Sequence, residues 1–83
     1  MKVTKYSGEL VHYDEQKLIN SLRKSGADQA VAETIVKEIE SEMYEGISSK
    51  KIYKRAYQLL KNISNVHAAR YNLRTALLGL GPA

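Results

Sequence analysis

The side chains best suited to holding an anion are Lys5, Lys17, Ser48, Ser49, Lys50 and Lys51. They fall on one expected strand and at two expected helix starts. The densest group lies in Ile47-Ser48-Ser49-Lys50-Lys51-Ile52-Tyr53, just after the turn signal Glu45-Gly46. A helix start leaves its first N–H groups unpaired, and either a serine hydroxyl or an external anion can satisfy them. Two lysines in a first turn run against the helix dipole, which already makes that end positive. A bound anion would turn the conflict into attraction. The plainer reading is that Ser48 or Ser49 caps an ordinary helix and the lysines are solvated.

Catalytic arrangements are missing from the pattern. The chain has no cysteine, which excludes disulfides, thiolate nucleophiles and cysteine-held zinc. It has two histidines, His12 and His67, and neither has a second ligand at metal spacing. No Gly-x-Ser-x-Gly elbow and no glycine-rich phosphate loop occurs. Asp14 reads as a helix cap, and the glutamates cluster on one helix. Binding is therefore favoured over catalysis.

The chain of 83 residues makes one small domain, able to bury a core without staples. Its formal net charge of +4 suits a polyanion or nucleotide partner, and equally a basic surface that serves solubility. No apolar run is long enough to span a membrane, and Met1-Lys2-Val3-Thr4-Lys5 lacks the apolar stretch of a signal peptide. A soluble, cytoplasmic protein is expected.

The elements that must position the anion-holding residues follow from periodicity. Residues 2–6 and 9–13 are rich in β-branched and aromatic types, with Ser7-Gly8 between them. A two-residue loop predicts a hairpin that sets Lys5 opposite Leu10 and Val3 opposite His12. Lys5 would then share a face with Val3, Leu10 and His12. Asp14 caps a helix to about Ser25, with Leu18, Ile19 and Leu22 as its apolar stripe and Lys17 in its first turn. A second helix is predicted from Asp28 to Glu45-Gly46, packing through Val31, Ala32, Ile35, Val36, Ile39 and Met43. Its acidic face, Glu33, Glu38, Glu40 and Glu42, reads as solvated.

The third helix is expected from Ser48-Ser49 to about Ile63, buried along Ile52, Ala56, Leu59, Leu60 and Ile63. Its outer face carries Lys50, Lys51, Lys54, Arg55 and Lys61. A fourth helix is expected after Ser64-Asn65, packing through Ala68, Ala69, Leu73, Ala76, Leu77 and Leu80. The predicted fold class is α+β, with an N-terminal β-hairpin or small sheet capping a four-helix bundle. The whole of 1–83 forms one domain, and its end just after a helix suggests the N-terminal part of a longer protein.

If the hairpin packs across the helix starts, lysines, a serine hydroxyl and helix N–H groups converge into a polyphosphate site. Val3, Leu10, Leu18 and Ile47 could cover a flat base. Backbone groups at the strand edge, at Val3 and Thr4, could read that base's hydrogen-bonding edge.

Four segments resemble the ATP-cone family. Val3-Thr4-Lys5-Tyr6-Ser7-Gly8 is similar to that family's Val-x-Lys-Arg-Asp-Gly opening. Tyr13-Asp14-Glu15-Gln16-Lys17-Leu18 resembles its Phe-Asp-x-x-Lys-Ile. Tyr44-Glu45-Gly46-Ile47-Ser48-Ser49-Lys50-Lys51-Ile52 resembles its Tyr-x-Gly-Ile-x-Thr-x-x-Ile. Ala68-Ala69-Arg70-Tyr71 resembles its Ala-Ala-Arg-Tyr signature. Each segment is weak alone; in order and at the family's spacing they are specific together.

The resemblance implies a regulatory module that senses ATP against dATP and alters the activity or oligomeric state of its host. Such modules stand before ribonucleotide reductase and nuclease-like domains and within a transcriptional repressor. The host here would be a catalytic or DNA-binding domain C-terminal to residue 83, with nucleotide-dependent homo-oligomerisation and magnesium accompanying the nucleotide. By the resemblance, Lys5 and Lys17 contact phosphates. Ser49 replaces a threonine near the nucleotide, and Val3, Leu18 and Ile47 line the base and sugar pocket. The reading of the residues and the resemblance together give an expected nucleotide site of Val3, Thr4, Lys5, Leu10, Lys17, Leu18, Ile47, Ser48, Ser49 and Tyr53.

Departures from the pattern matter too. Tyr6-Ser7 stands for the family's Arg-Asp, and Tyr53 takes a place where a histidine can occur. Lys51 takes one that is often acidic in reductases. These argue against the reductase arrangement that holds two dATP molecules. The closing segment from Arg70 to Pro82 looks more like modules that precede a nuclease-like domain. The competing reading is a small nucleic-acid-binding domain that uses the basic face of the third helix. That reading predicts steep salt dependence and binding to long polyanions.

Overall fold

The computed structural model of the protein describes residues 1–63. Two short strands, β1 (Lys2–Thr4) and β2 (Leu10–His12), are followed by α1 (Glu15–Lys24), α2 (Gln29–Glu42) and α3 (Ser49–Lys61). The architecture is α+β, as the pattern predicts. The fourth helix expected after Ser64-Asn65, and with it the four-helix bundle, lies outside the described residues.

Each helix begins where a side chain can replace the missing intrahelical partner. The Asp14 carboxylate accepts from the Lys17 amide at 3.2 Å, and the Asp28 carboxylate accepts from Val31 at 2.8 Å. The Ser48 hydroxyl accepts from the Lys51 amide at 3.1 Å. Caps of this kind are each worth about 1 kcal/mol. The core is then assembled from one stripe per helix: Leu18, Ile19 and Leu22 from α1, Ala32, Ile35, Val36 and Ile39 from α2, and Ile52, Ala56 and Leu60 from α3. Leu59 is only half-buried, and Ile63 falls past the end of α3 and is exposed. Ser25 is fully buried but satisfied, its hydroxyl donating to the Ser21 carbonyl at 3.1 Å.

The hairpin register differs from the expected one by a single residue. Val3 pairs with Val11, Thr4 with Leu10 and Lys2 with His12. The turn takes Tyr6-Ser7-Gly8 instead of Ser7-Gly8. The Gly8 amide donates to the Lys5 carbonyl and the Lys5 amide to the Glu9 carbonyl, both at 2.8 Å. Gly8 has φ 94°, the left-handed position that closes a type I turn into a bulge. A slip of one residue moves side chains to the opposite face. Here it buries Val3 against the helices and brings Val11 beside it, while Leu10 turns outward.

The second helix stops at Glu42, three residues short of the expected end. Met43 is extended (φ −76°, ψ 152°) because the chain must now run along β1. The Gly46 amide donates to the Lys2 carbonyl, the Thr4 amide to the Ile47 carbonyl, each at 2.9 Å. The Thr4 hydroxyl donates to the Gly46 carbonyl at 2.8 Å. A parallel bridge between Thr4 and Ser48 completes this edge. The sheet is thus widened by the segment that leads into α3, and the start of α3 is tied directly to the hairpin.

Candidate functional site

The hairpin, α1 and the first turns of α3 enclose a cleft of about 700 Å³. Its floor is apolar: Val3, Leu18 and Ile52 are buried there, and Val11, Tyr13 and Tyr53 are half-buried at its walls. Its rim is polar and basic. Lys5 and Ser7 come from the hairpin turn, Lys17, Asn20, Ser21 and Lys24 from α1, and Ser49 from the first turn of α3. An apolar floor under a few convergent polar groups is the usual build of a small-molecule site.

Of the residues singled out in the sequence, Val3, Lys5, Lys17, Leu18, Ser49 and Tyr53 line this cleft together. Four do not. Ser48 is the α3 cap, Ile47 is buried in the core, and Leu10 stands on the outward face of the hairpin with 56% of its surface exposed. Thr4 spends its amide and its hydroxyl on the 46–48 segment. The strand edge is therefore already paired, and the Thr4 N–H has no capacity left for a base. Lys50 and Lys51 also lie away from the cleft. The Lys51 ammonium donates to the Tyr44 hydroxyl at 3.2 Å and lies 5.9 Å from its ring centroid.

Several lining residues escaped the sequence reading. Ser21 and Lys24 follow Lys17 at the spacing of one helix face, so a polar stripe along α1 was legible in principle. Val11 and Tyr13 were not, because the two-residue turn put the wrong face of β2 inward.

The electrostatics favour an anionic occupant. Lys5 has a loose partner in Glu9, 3.8 Å away, with both side chains more than half exposed. Such a pair is worth little and yields readily to a phosphate. Among the described residues Asp14 is the one carboxylate in the lining, and it accepts the α1 cap bond. Burial pushes the Tyr53 hydroxyl above the ordinary phenol value, so it stays neutral. Burial and a hydrogen bond to Glu40 push Tyr13 the same way.

The acidic face of α2 is not merely solvated. The Tyr13 hydroxyl donates to the Glu40 carboxylate at 2.9 Å, tying a cleft wall to α2. Arg55 donates to both oxygens of Glu42, at 2.9 and 3.0 Å, which links α3 to α2 and removes one cation from the basic face of α3. Hydrogen bonding to Glu40, above all, raises the Glu15 carboxyl from its ordinary value. A carboxyl raised in this way holds its proton better folded than unfolded. Its contribution to stability is present at low pH and lost as pH rises through the raised value.

The Tyr13–Glu40 bond predicts a measurable stability effect. Tyr13→Phe keeps the ring and deletes the donor, so the domain should lose about 1 kcal/mol in chemical denaturation. An unchanged midpoint would mean that the bond contributes nothing in solution.

Among the described residues, no group of three histidine, cysteine or acidic side chains is placed to hold a metal ion. No described helix is long and apolar enough to cross a membrane. No curated protein and no solved structure matches the chain. A family model does match, and it covers the hairpin, the three described helices and every described lining residue of the cleft: over residues 1–75 the chain matches the ATP cone domain, and it belongs to that family.

Proposed function

We propose that the cleft binds an adenine nucleotide, ATP or dATP, and that the domain uses this to regulate a host protein. ATP cone domains are nucleotide-binding regulatory modules, which supports the reading at the level of the family. The observation that carries it to these residues is the convergence of Lys5, Lys17 and Ser49 over an apolar floor in one cleft. Lys5, Lys17 and Ser49 contact the phosphates, and Val3, Leu18, Ile52 and Tyr53 cover the base and sugar. Thr4, Ile47 and Ser48 act from behind, by fixing the start of α3 against β1. Leu10, on the outer face, takes no part. Magnesium would travel with the triphosphate, since the described residues offer no cluster of acidic side chains to hold it.

The output is differential binding: the occupied domain prefers one arrangement of its host, either a C-terminal catalytic or DNA-binding domain or a second copy of the chain. The hairpin is the element to move, since two short strands alone are marginal and depend on their contacts.

Titration calorimetry of the domain with ATP, AMP and GTP tests the binding. ATP should bind more tightly than AMP, because each added phosphate gains cationic partners, and more tightly than GTP. Equal or absent heats for all three would overturn the reading. Binding that instead extends to long single strands and falls steeply with salt would favour nucleic acid. Against that alternative, Arg55 and Lys51 on the basic face of α3 are already engaged within the fold.

A further inference from the structure

The cleft does not end at its own rim. At the last turns of α1 it adjoins a shallow, open surface depression lined by Asn20, Arg23, Lys24 and Ala27. Asn20 and Lys24 form part of both walls. Every polar side chain in this depression can donate. The Asn20 carbonyl is taken by the Gln16 amide at 2.9 Å, which leaves the Asn20 NH₂ as the group it offers. Among the described residues no carboxylate lines the depression. Among the described residues the ion pairs are Lys5–Glu9 and Arg55–Glu42, so Arg23 and Lys24 are not neutralised by one. Cations in a last helical turn also complement the helix dipole. That role does not need a wall shared with a larger cleft.

We propose that the depression formed by Asn20, Arg23 and Lys24 is a second anion subsite, contiguous with the nucleotide cleft, that takes a phosphate group beyond the triphosphate. The inference rests on the nucleotide reading of the cleft. Lys17 and Lys24 are seven residues apart on α1, about 10 Å along its axis, so the row of donors continues well past the first turn. Lys5, Lys17 and Ser49 already provide for a triphosphate, and Arg23 lies outside the first cleft. A planar guanidinium presents paired donors that match phosphate oxygens. The phosphate can come from the distal end of a longer chain on the same nucleotide, or from a separate oligophosphate.

Calorimetry with adenosine 5′-tetraphosphate, ATP and pyrophosphate tests the subsite on the wild-type chain and on Arg23→Gln. The wild type should bind the tetraphosphate at least about fivefold more tightly than ATP, the scale of one exposed charge-assisted hydrogen bond. Arg23→Gln should erase that advantage and leave ATP affinity within about twofold, because Arg23 is not part of the cleft. Lys54→Gln removes the same charge elsewhere and should leave the advantage intact. Pyrophosphate binding to the ATP-saturated chain, lost in Arg23→Gln, would identify a separate phosphate as the occupant. If ATP binds, but the tetraphosphate gains nothing and pyrophosphate does not bind, the subsite is refuted and the nucleotide reading stands. An advantage that survives Arg23→Gln refutes it equally. If no nucleotide binds at all, both fall.

Discussion

A chain carrying Lys5→Ala and Lys17→Ala should fold normally and lose ATP affinity by about 30- to 1,000-fold, the equivalent of about 2–4 kcal/mol. The two side chains come from different elements, the hairpin turn and the first turn of α1, and meet only through the fold. Each would donate a charged hydrogen bond to a phosphate, worth about 1.5–3 kcal/mol. Both are exposed, and Lys5 must first give up Glu9, so the lower half of that range applies. The effects will not simply add, because both groups act on one phosphate chain. Neither lysine belongs to the core, so thermal unfolding of the unliganded chain should barely move. Glu9→Gln is the opposite control: it frees Lys5 and should tighten binding slightly. Calorimetry and a melting curve on the wild type and these two variants decide the matter. A double variant that binds ATP like the wild type would mean that the phosphates lie elsewhere.

The parts of this fold that were legible in the sequence are those fixed by local chemistry. Asp14, Asp28 and Ser48 announce helix starts because a short oxygen side chain there replaces a missing backbone partner. The apolar stripes follow from the helical period, so Leu22, Ile39 and Leu60 could be assigned to the core without knowing what they touch. The hairpin register was not legible, since a loop of two or of three residues places Gly8 equally well at positive φ. What chose between them was long-range: only the observed register puts Val3 and Val11 together over the helices. That one-residue difference also decided the site. It removed Leu10 from the cleft and brought in Val11 and Tyr13. The early end of α2 has the same origin. Nothing local stops that helix at Glu42; the chain extends there because residues 46–48 pair with the edge of β1, which periodicity in α2 cannot reveal.

Leu22→Ala should destabilise the unliganded domain by about 3–4 kcal/mol, and saturating ATP should recover a large part of that loss. Leu22 is fully buried at the C-terminal end of the α1 stripe, on the helix that packs against α2. Truncating such a leucine removes its transfer energy and leaves a cavity, at a cost of about 2.7–5 kcal/mol. A domain of this length has a total stability of about 4–12 kcal/mol, so the loss is a large fraction of the whole. Leu22 does not line the cleft, and its loss leaves the rim and floor residues in place. Native-state binding should therefore be unchanged, and the ligand should pull the equilibrium toward the folded chain. At a hundred times its dissociation constant, ATP contributes about 2.7 kcal/mol by mass action. The prediction is read from denaturant midpoints with and without ATP, for the wild type and for Leu22→Ala. The ligand-induced shift in free energy should be the same in both. A shift present in the wild type but missing in the variant would show that the cleft and the α1–α2 core are not independent, and that Leu22 helps to hold the site in its binding shape. No shift in either would remove the nucleotide from the cleft altogether.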